Sequence, residues 1–353
     1  MTHIFENLST WASASGPHSD IVVSSRVRLA RNFAGQPFPH LLSPDRQKQI
    51  IDDVAKVVKS KKFEKQNGAL EIINLNDLSE IEKWVLVEKH LISPQLAHGE
   101  GLKAVLVTED ETVSVMINEE DHLRIQCLLP GLNVEKALKK SDAVDDSLEE
   151  KIDFAFNERQ GYLTVCPTNI GTGLRASVML HLPALVMTKQ ADRVLSALSQ
   201  LGLAVRGTYG EGTEAVGNLF QISNQVTLGK TEQEVLANLT TVTLQIIEQE
   251  KMAREILKRE IFDQLTDRVW RAFGTLSNAR IISSREAMVL LSELRLGVDL
   301  SIITEIDPHI FNELLILIQP AFLQKYKNHE LTPSARDYAR AEVIRERLIR
   351  VQG

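Results

Sequence analysis

Short apolar, β-branched runs bounded by turn residues dominate the first two thirds of the chain. Ile21-Val22-Val23, Ala104–Val107, Val113–Ile117 and Tyr162–Val165 read as strands. The turn-forming segment Thr108-Glu109-Asp110-Glu111-Thr112 joins two of them as a hairpin, so at least part of the sheet is antiparallel. Apolar residues at helical spacing predict amphipathic helices over Asp45–Lys61 and Glu232–Leu257. From about residue 255 the strands fade. Helices are predicted there over Ile256–Phe273, Ser284–Leu296, Ile310–Tyr326 and Pro333–Val351, with breaks at Gly297, Pro308 and Pro320. Three zones follow: a polar N-terminal arm over 1–20, mobile or loosely docked; a mixed α+β domain over 21–254; and a helical domain over 255–353. No solenoid repeat or low-complexity tract interrupts them.

Composition narrows the class. The 353 residues are 43% hydrophobic and 25% charged, ordinary globular usage with ample core. A net charge of −7 argues against a protein built to bind duplex nucleic acid, and 5% aromatic residues leave little for base stacking. The acidic excess lies in the first 250 residues, where a cationic partner is best tolerated. Two cysteines, Cys127 and Cys166, make no disulfide framework, and no signal peptide or bilayer-spanning run is evident. A soluble cytoplasmic protein, without membrane attachment, is expected.

Two glycine-containing segments look like nucleotide loops and fail on spacing. Leu228-Gly229-Lys230-Thr231 has Asn224 where a phosphate-binding loop needs its first glycine, and Gly171-Thr172-Gly173 lacks the third glycine of a dinucleotide fingerprint. The nine histidines and two cysteines offer no metal-ligand spacing, so no metal site of protein ligands is expected. Three other segments carry candidate chemistry. In Ser24-Ser25-Arg26-Val27-Arg28, alternation puts Arg26 and Arg28 on one side of an extended segment, which reads either as a phosphate clamp or as a solvated edge strand. In Asn118-Glu119-Glu120-Asp121-His122-Leu123-Arg124, three acids follow an apolar strand, as a cation site or a solvated turn. In Cys166-Pro167-Thr168-Asn169-Ile170-Gly171-Thr172-Gly173-Leu174-Arg175-Ala176-Ser177, a cysteine leaves a strand into a polar turn, as a positioned thiolate or a core residue. Arg206-Gly207-Thr208-Tyr209-Gly210-Glu211 adds an Arg and a carboxylate in a glycine-rich stretch. Arg26, Arg28, Arg124, Arg175 and Arg206 together could nest a polyphosphate, with Glu120, Glu211 and Cys166 left to hold a cation.

The second and third segments resemble the two signature motifs of the phosphagen (guanidino) kinases, and Ser24–Arg28 and Arg206–Glu211 are similar to that family's phosphate loops. The resemblance covers roughly residues 20–250. It implies an α+β fold with a mostly antiparallel, saddle-shaped sheet flanked by helices. The departures matter. Members of that family carry an N-terminal helical domain that encloses a small guanidino substrate; here residues 1–23 stand before Ser24, and a C-terminal helical domain is added. That layout resembles the bacterial branch that phosphorylates arginine side chains in proteins. Arg336-Asp337-Tyr338-Ala339-Arg340-Ala341 is similar to the phosphoarginine-binding motif of its C-terminal domain. Gly212 and Gln221 replace a His and an Asp that contact the nucleotide in typical members.

The resemblance implies ATP and Mg²⁺ as cofactors, with Glu120 and Glu211 as guanidinium clamp and general base and Cys166 as a third negative contact. ATP would be held by Ser24, Ser25, Arg26, Val27, Arg28, Arg124, Arg175 and Arg206 to Glu211, and lined by Ala176, Ser177, Val178 and Met179. His90 is either a further nucleotide contact or a core histidine. Arg336, Asp337, Arg340 and Ala341 would bind phosphoarginine as an allosteric site, the competing possibility being a solvated, salt-bridged surface helix. Expected partners are proteins with exposed arginines, basic regulators, an activator, protease machinery of a stress response, and a second copy of the chain. Two other functions stay open: a kinase of free arginine or another small guanidino compound, and a non-catalytic phosphoarginine-binding adaptor.

Overall fold

The computed structural model describes residues 4–5, 7–207 and 215–349. Its centre is an eight-stranded antiparallel sheet. The strands are β1 (Val22–Arg31), β2 (Leu70–Asn74), β3 (Ala104–Thr108), β4 (Val113–Ile117), β5 (Leu123–Pro130), β8 (Leu174–His181), β9 (Leu203–Gly207) and β10 (Leu219–Asn224). They run in the order β2-β3-β4-β5-β1-β8-β10-β9; β6 (Phe156–Asn157) and β7 (Gly161–Tyr162) form a separate small hairpin. The arginine-bearing β1 is thus an interior strand, paired with β5 on one side and β8 on the other, which removes the edge-strand alternative.

Alternation along β1 divides its residues between two faces. Ser25, Val27, Leu29 and Arg31 face the helix Val134–Glu149, which packs across β1 and β5. Val27 lies beside Cys127 and Ala176 on that face, all three fully buried. Burial pushes the Cys127 thiol up to about 12, so it is a core residue and no nucleophile. Arg31 is held on the same face by Asp145 at 2.5 Å and by the carbonyls of Ala30 and Thr172, its guanidinium lying over the Tyr162 ring. The opposite face carries Ser24, Arg26 and Arg28.

Three expectations change. Tyr162–Val165 is not a continuous strand, because side chains take its backbone groups: Asn32 donates to the Leu163 carbonyl and the Val165 N–H donates to Asp121. The helix predicted over Asp45–Lys61 stops at Val58, and a new one starts at Lys61 behind the Ser60 cap. The helix beginning at Glu232 runs to Glu260 and breaks at Ile261 before Phe262–Asn278. Leu228–Thr231 is a turn leading into that first helix, where Thr231 and Glu234 form a capping box. Gly173 has φ +66°, and a Cβ there would lie 2.7 Å from the Ala30 carbonyl oxygen, so this glycine lets the loop close against β1.

The opening residues are not a loose arm. Ile4, Phe5, Ser9, Trp11 and Ala12 are buried. Lys89, fully buried, donates to Glu111 and to the Ile4 carbonyl, and Ser9 donates to the other Glu111 oxygen. The Ser19 carbonyl accepts from Arg295 and that of Asp20 from Arg254, tying the segment to the helical part. Among the described residues no helix is long and apolar enough to cross a membrane.

Candidate active site

The sheet register assembles the site. Residues directly opposite in antiparallel strands share a face, so four cross-strand rows lie side by side. Arg28 sits between Arg175 on β8 and Gln126 on β5, and Arg26 between Ser177 and Leu128. One row further along, Arg124 lies beside Ala30 and Met116. In the other direction, Arg206, Gln221, Met179 and Ser24 line up across β9, β10, β8 and β1. Desolvation, followed by repulsion from Arg175, Arg124 and Arg206, lowers the Arg26 guanidinium to about 10. Arg28 is lowered further by burial and by Arg26, Arg124 and Arg175, and its buried Nε has no hydrogen-bond partner. So dense a cluster of like charge calls for a polyanion.

At the end of β4 the acids turn back onto this cluster. Asn118 adopts φ +60°, and the turn closes through the Asn118 N–H on the His122 carbonyl. Arg124 reaches Glu119 at 2.6 Å and Glu120 at 3.2 Å. Glu119 is nearly buried and also accepts from Ser93, whereas Glu120 is 40% exposed at the cavity. Desolvation, then Asp121 and Glu119, raise the Glu120 carboxyl against the opposing pull of Arg124. Asp121 is buried and holds the turn by accepting from Asn32 and the Val165 N–H, which also brings the neighbouring Cys166 to this end of the site. The Cys166 sulfur is partly exposed, 3.0 Å from the Thr168 hydroxyl. The acidic run is therefore one buried bridge, one buried tie and one open carboxylate, rather than a solvated turn.

The arginines, Glu119 and Glu120 line one cavity of about 1150 Å³, whose wall does not include Cys166 or Asp121. Ser24, Arg26, Arg28, His90, Arg124, Arg175, Ser177, Met179 and Arg206 all face it. Ser25, Val27, Ala176 and Val178 do not: the pleat points their side chains into the opposite face, so their expected contact with nucleotide would come from backbone groups. Ser25 donates there to the Gly131 carbonyl and is fully buried. Gly207 ends β9, and Thr208, Tyr209, Gly210, Glu211 and Gly212 lie outside the described residues. His90 lines the cavity and is not a core histidine; desolvation and nearby Arg26 push its imidazole down to about 3, so it is neutral at physiological pH. Trp11, Met116 and Gln126 also line the cavity and were not singled out from the sequence. Gln126 could have been, lying two residues beyond Arg124 on the same strand. No group of three or more His, Cys, Asp or Glu able to hold a metal occurs among the described residues.

The far end of the cavity belongs to the helical part, where Ser284, Gln319, Gln324 and Arg336 line it. Arg336 and Arg340 were expected to act as a pair on one face, or else to be solvated. Instead Arg340 is buried, bonded to the Ile318 and Ile282 carbonyls and to Asp337 at 2.5 Å, and Ala341 is buried beside it. Of the two, Arg336 is the one facing the cavity.

Across from it, Glu88 accepts from the Ala321 and Phe322 N–H groups that open the helix Pro320–Tyr326, while Lys325 pairs with Glu82 at 2.8 Å. Desolvation outweighs those bonds and raises the Glu88 carboxyl from 4.5 to about 7. A carboxyl raised in the folded state binds its proton more tightly there than in the unfolded chain. Its stabilising contribution is therefore complete below about 4.5 and is lost as pH rises through about 7. Glu88→Gln should flatten that decline; thermal unfolding of both proteins between pH 5 and 8 measures it, and parallel curves would contradict the assignment.

An antiparallel sheet presenting rows of arginines, closed by a carboxylate turn, defines a phosphotransferase site suited to a guanidinium acceptor. The model of the ATP:guanido phosphotransferase C-terminal catalytic domain matches residues 49–253 and that of the protein-arginine kinase McsB C-terminal domain matches 262–353, so the chain belongs to the ATP:guanido phosphotransferases and, within them, to the protein-arginine kinases. It is 56% identical over 340 residues to the protein-arginine kinase of Desulforamulus reducens, covering 96% of this chain and 95% of that one. To that of Moorella thermoacetica it is 54% identical over 343 residues, 97% and 98% of the two chains. To that of Bacillus subtilis it is 53% identical over 349 residues, 98% and 94%. Among solved structures it is similar to the duplicated taurocyamine kinase of Schistosoma mansoni with bound transition-state-analogue components, at TM-score 0.60 and 25% identity, over 75% of this chain and 39% of that one. It also shares its fold with a lombricine kinase, at TM-score 0.57 and 24% identity, over 70% and 71%.

Proposed function

We propose that the chain transfers the γ-phosphoryl group of ATP to a guanidinium nitrogen of arginine side chains in proteins. One observation carries this: the grid of Arg26, Arg28, Arg124 and Arg175 on the open face of the sheet ends at the carboxylate of Glu120. The arginines suit a triphosphate, since guanidinium binds phosphate oxygens in a fork. Mg²⁺, bound with the nucleotide, would supply further charge neutralisation. The substrate's guanidinium, protonated at any physiological pH, has no free lone pair and must lose a proton as it attacks. Its nitrogen forms the P–N bond while the bond from the γ-phosphorus to the β-phosphate oxygen breaks and ADP leaves with that electron pair. The proton passes to a carboxylate, Glu120 or Glu211, the other holding the guanidinium in line. Cys166, on the turn tied to Asp121, would add a sulfur contact to the guanidinium. Held on interior strands, the arginines are positioned before substrate arrives, which is where phosphoryl transfer gains most.

Proteins rather than free arginine are favoured as acceptors by relatives named protein-arginine kinases over nearly the whole chain. A cytoplasmic setting, a homodimer and a place in stress-responsive protein quality control belong to the same proposal. The test is incubation with labelled ATP and either free arginine or an arginine-bearing protein. Label should enter the protein as a phosphoramidate, lost in hot acid and persistent in alkali. Acid-stable label on protein, or transfer to free arginine alone, would refute the assignment.

A further inference from the structure

Trp11 belongs to the N-terminal segment, which the chemistry above leaves without a task. Its indole is 2% exposed, yet it forms part of the cavity wall beside Arg26 and His90. The indole N–H donates to the Lys89 carbonyl at 3.1 Å, and the ring lies 5.2 Å from the His90 ring at 48°. From the sheet side, Gln126, the ladder neighbour of Arg28, donates to the His90 carbonyl at 2.7 Å. His90 itself sits at φ +61°, the left-handed position that ends the helix Glu80–Glu88, where the Leu91 N–H closes on the Leu86 carbonyl. Trp11 and Gln126 flank the residue held at that cap.

The segment that delivers Trp11 is itself held at both ends of this contact. The Lys89 ammonium donates to Glu111 and to the Ile4 carbonyl, each at 2.5 Å, and Ser9 donates to Glu111 at 2.6 Å. The turn Thr10–Ser13 is packed between β5 and the helix His309–Leu317 of the helical part. One buried indole therefore touches the backbone and the ring that present a histidine to the nucleotide cavity, and is carried by a turn lying against both halves of the molecule.

We infer that Trp11 is a positioning residue for nucleotide binding, fixing His90 in the orientation that faces the phosphates. The inference rests on the ATP assignment and adds to it that the docked N-terminal segment sets nucleotide affinity. Trp11→Phe keeps an aromatic ring and removes the N–H; Trp11→Leu removes both. Binding of MgADP by calorimetry and the KM for ATP should each weaken about three- to tenfold in Trp11→Phe, the worth of one hydrogen bond, and more in Trp11→Leu. The kcat at saturating ATP should stay near that of the unmodified protein, a split that general destabilisation would not produce. In a His90→Ala background, Trp11→Leu should have no further effect on MgADP affinity, since its target is gone. Unchanged affinity in both single variants, or effects that simply add in the double variant, would overturn the inference. An unmodified protein that binds no MgADP would instead refute the ATP assignment, and the inference with it.

Discussion

Glu120→Gln should lower kcat by about 10²–10⁴-fold, the usual contribution of a positioned proton acceptor. The substitution keeps the size of the side chain and most of its reach to Arg124, but removes the charge proposed to meet the guanidinium, whether as clamp or as proton acceptor. Glu119 remains to hold Arg124 at 2.6 Å, so the arginine grid keeps its geometry and ATP binding changes little. Initial rates on a protein substrate, with MgADP affinity measured alongside, test both halves. Near-normal turnover would refute the role of Glu120; a large loss of nucleotide affinity would mean that it shapes the phosphate site instead.

Arg340→Ala should be among the most destabilising single changes in the helical part. It strips the Ile318 and Ile282 carbonyls of their donor, at about 1–3 kcal/mol for each buried group left unsatisfied, or about 2–6 kcal/mol in all. Arg336→Ala, four residues earlier on the same helix, should change stability by about 0.5 kcal/mol or less, as is usual away from buried networks. Its effect should fall on what the cavity binds. Denaturant midpoints for the two variants separate these roles. Equal midpoints would mean that Arg340 is not the internal tie its bonds describe. Loss of phosphoarginine-peptide binding in Arg340→Ala then counts as evidence of a site only after its stability has been matched.

Much of the site was legible because its chemistry is local. Arg26 and Arg28, two apart on an extended run, had to share a face, and Glu120 and Arg124 flank one tight turn. The same alternation puts the side chains of Val27, Ala176 and Val178 on the opposite face, a consequence available from the spacing alone. Other features depend on partners far along the chain. That β1 is interior follows from its pairing with β5 and β8, a register no local pattern specifies. Trp11 finds its acceptor at Lys89, and Arg340 its carbonyls at Ile282 and Ile318. An isolated tryptophan in a polar stretch and an arginine at helical spacing carry no mark of such contacts. Tyr162–Val165 misled for a related reason: a β-branched run favours extended backbone, but whether it joins a sheet depends on which groups reach its N–H and C=O first.

The repulsion among Arg26, Arg28, Arg124 and Arg175 has a thermodynamic corollary for the folded state as a whole. Unliganded, the sheet must confine four like charges that the unfolded chain would let drift apart. A bound polyanion cancels that opposition, and it does so only in the fold that gathers the charges. Nucleotide is thus a folding ligand as well as a reactant: each increment in its concentration shifts the conformational equilibrium toward the native sheet by mass action. Resistance to unfolding becomes a function of the concentration of the phosphoryl donor itself, so the same molecule is firmest when it is ready to react.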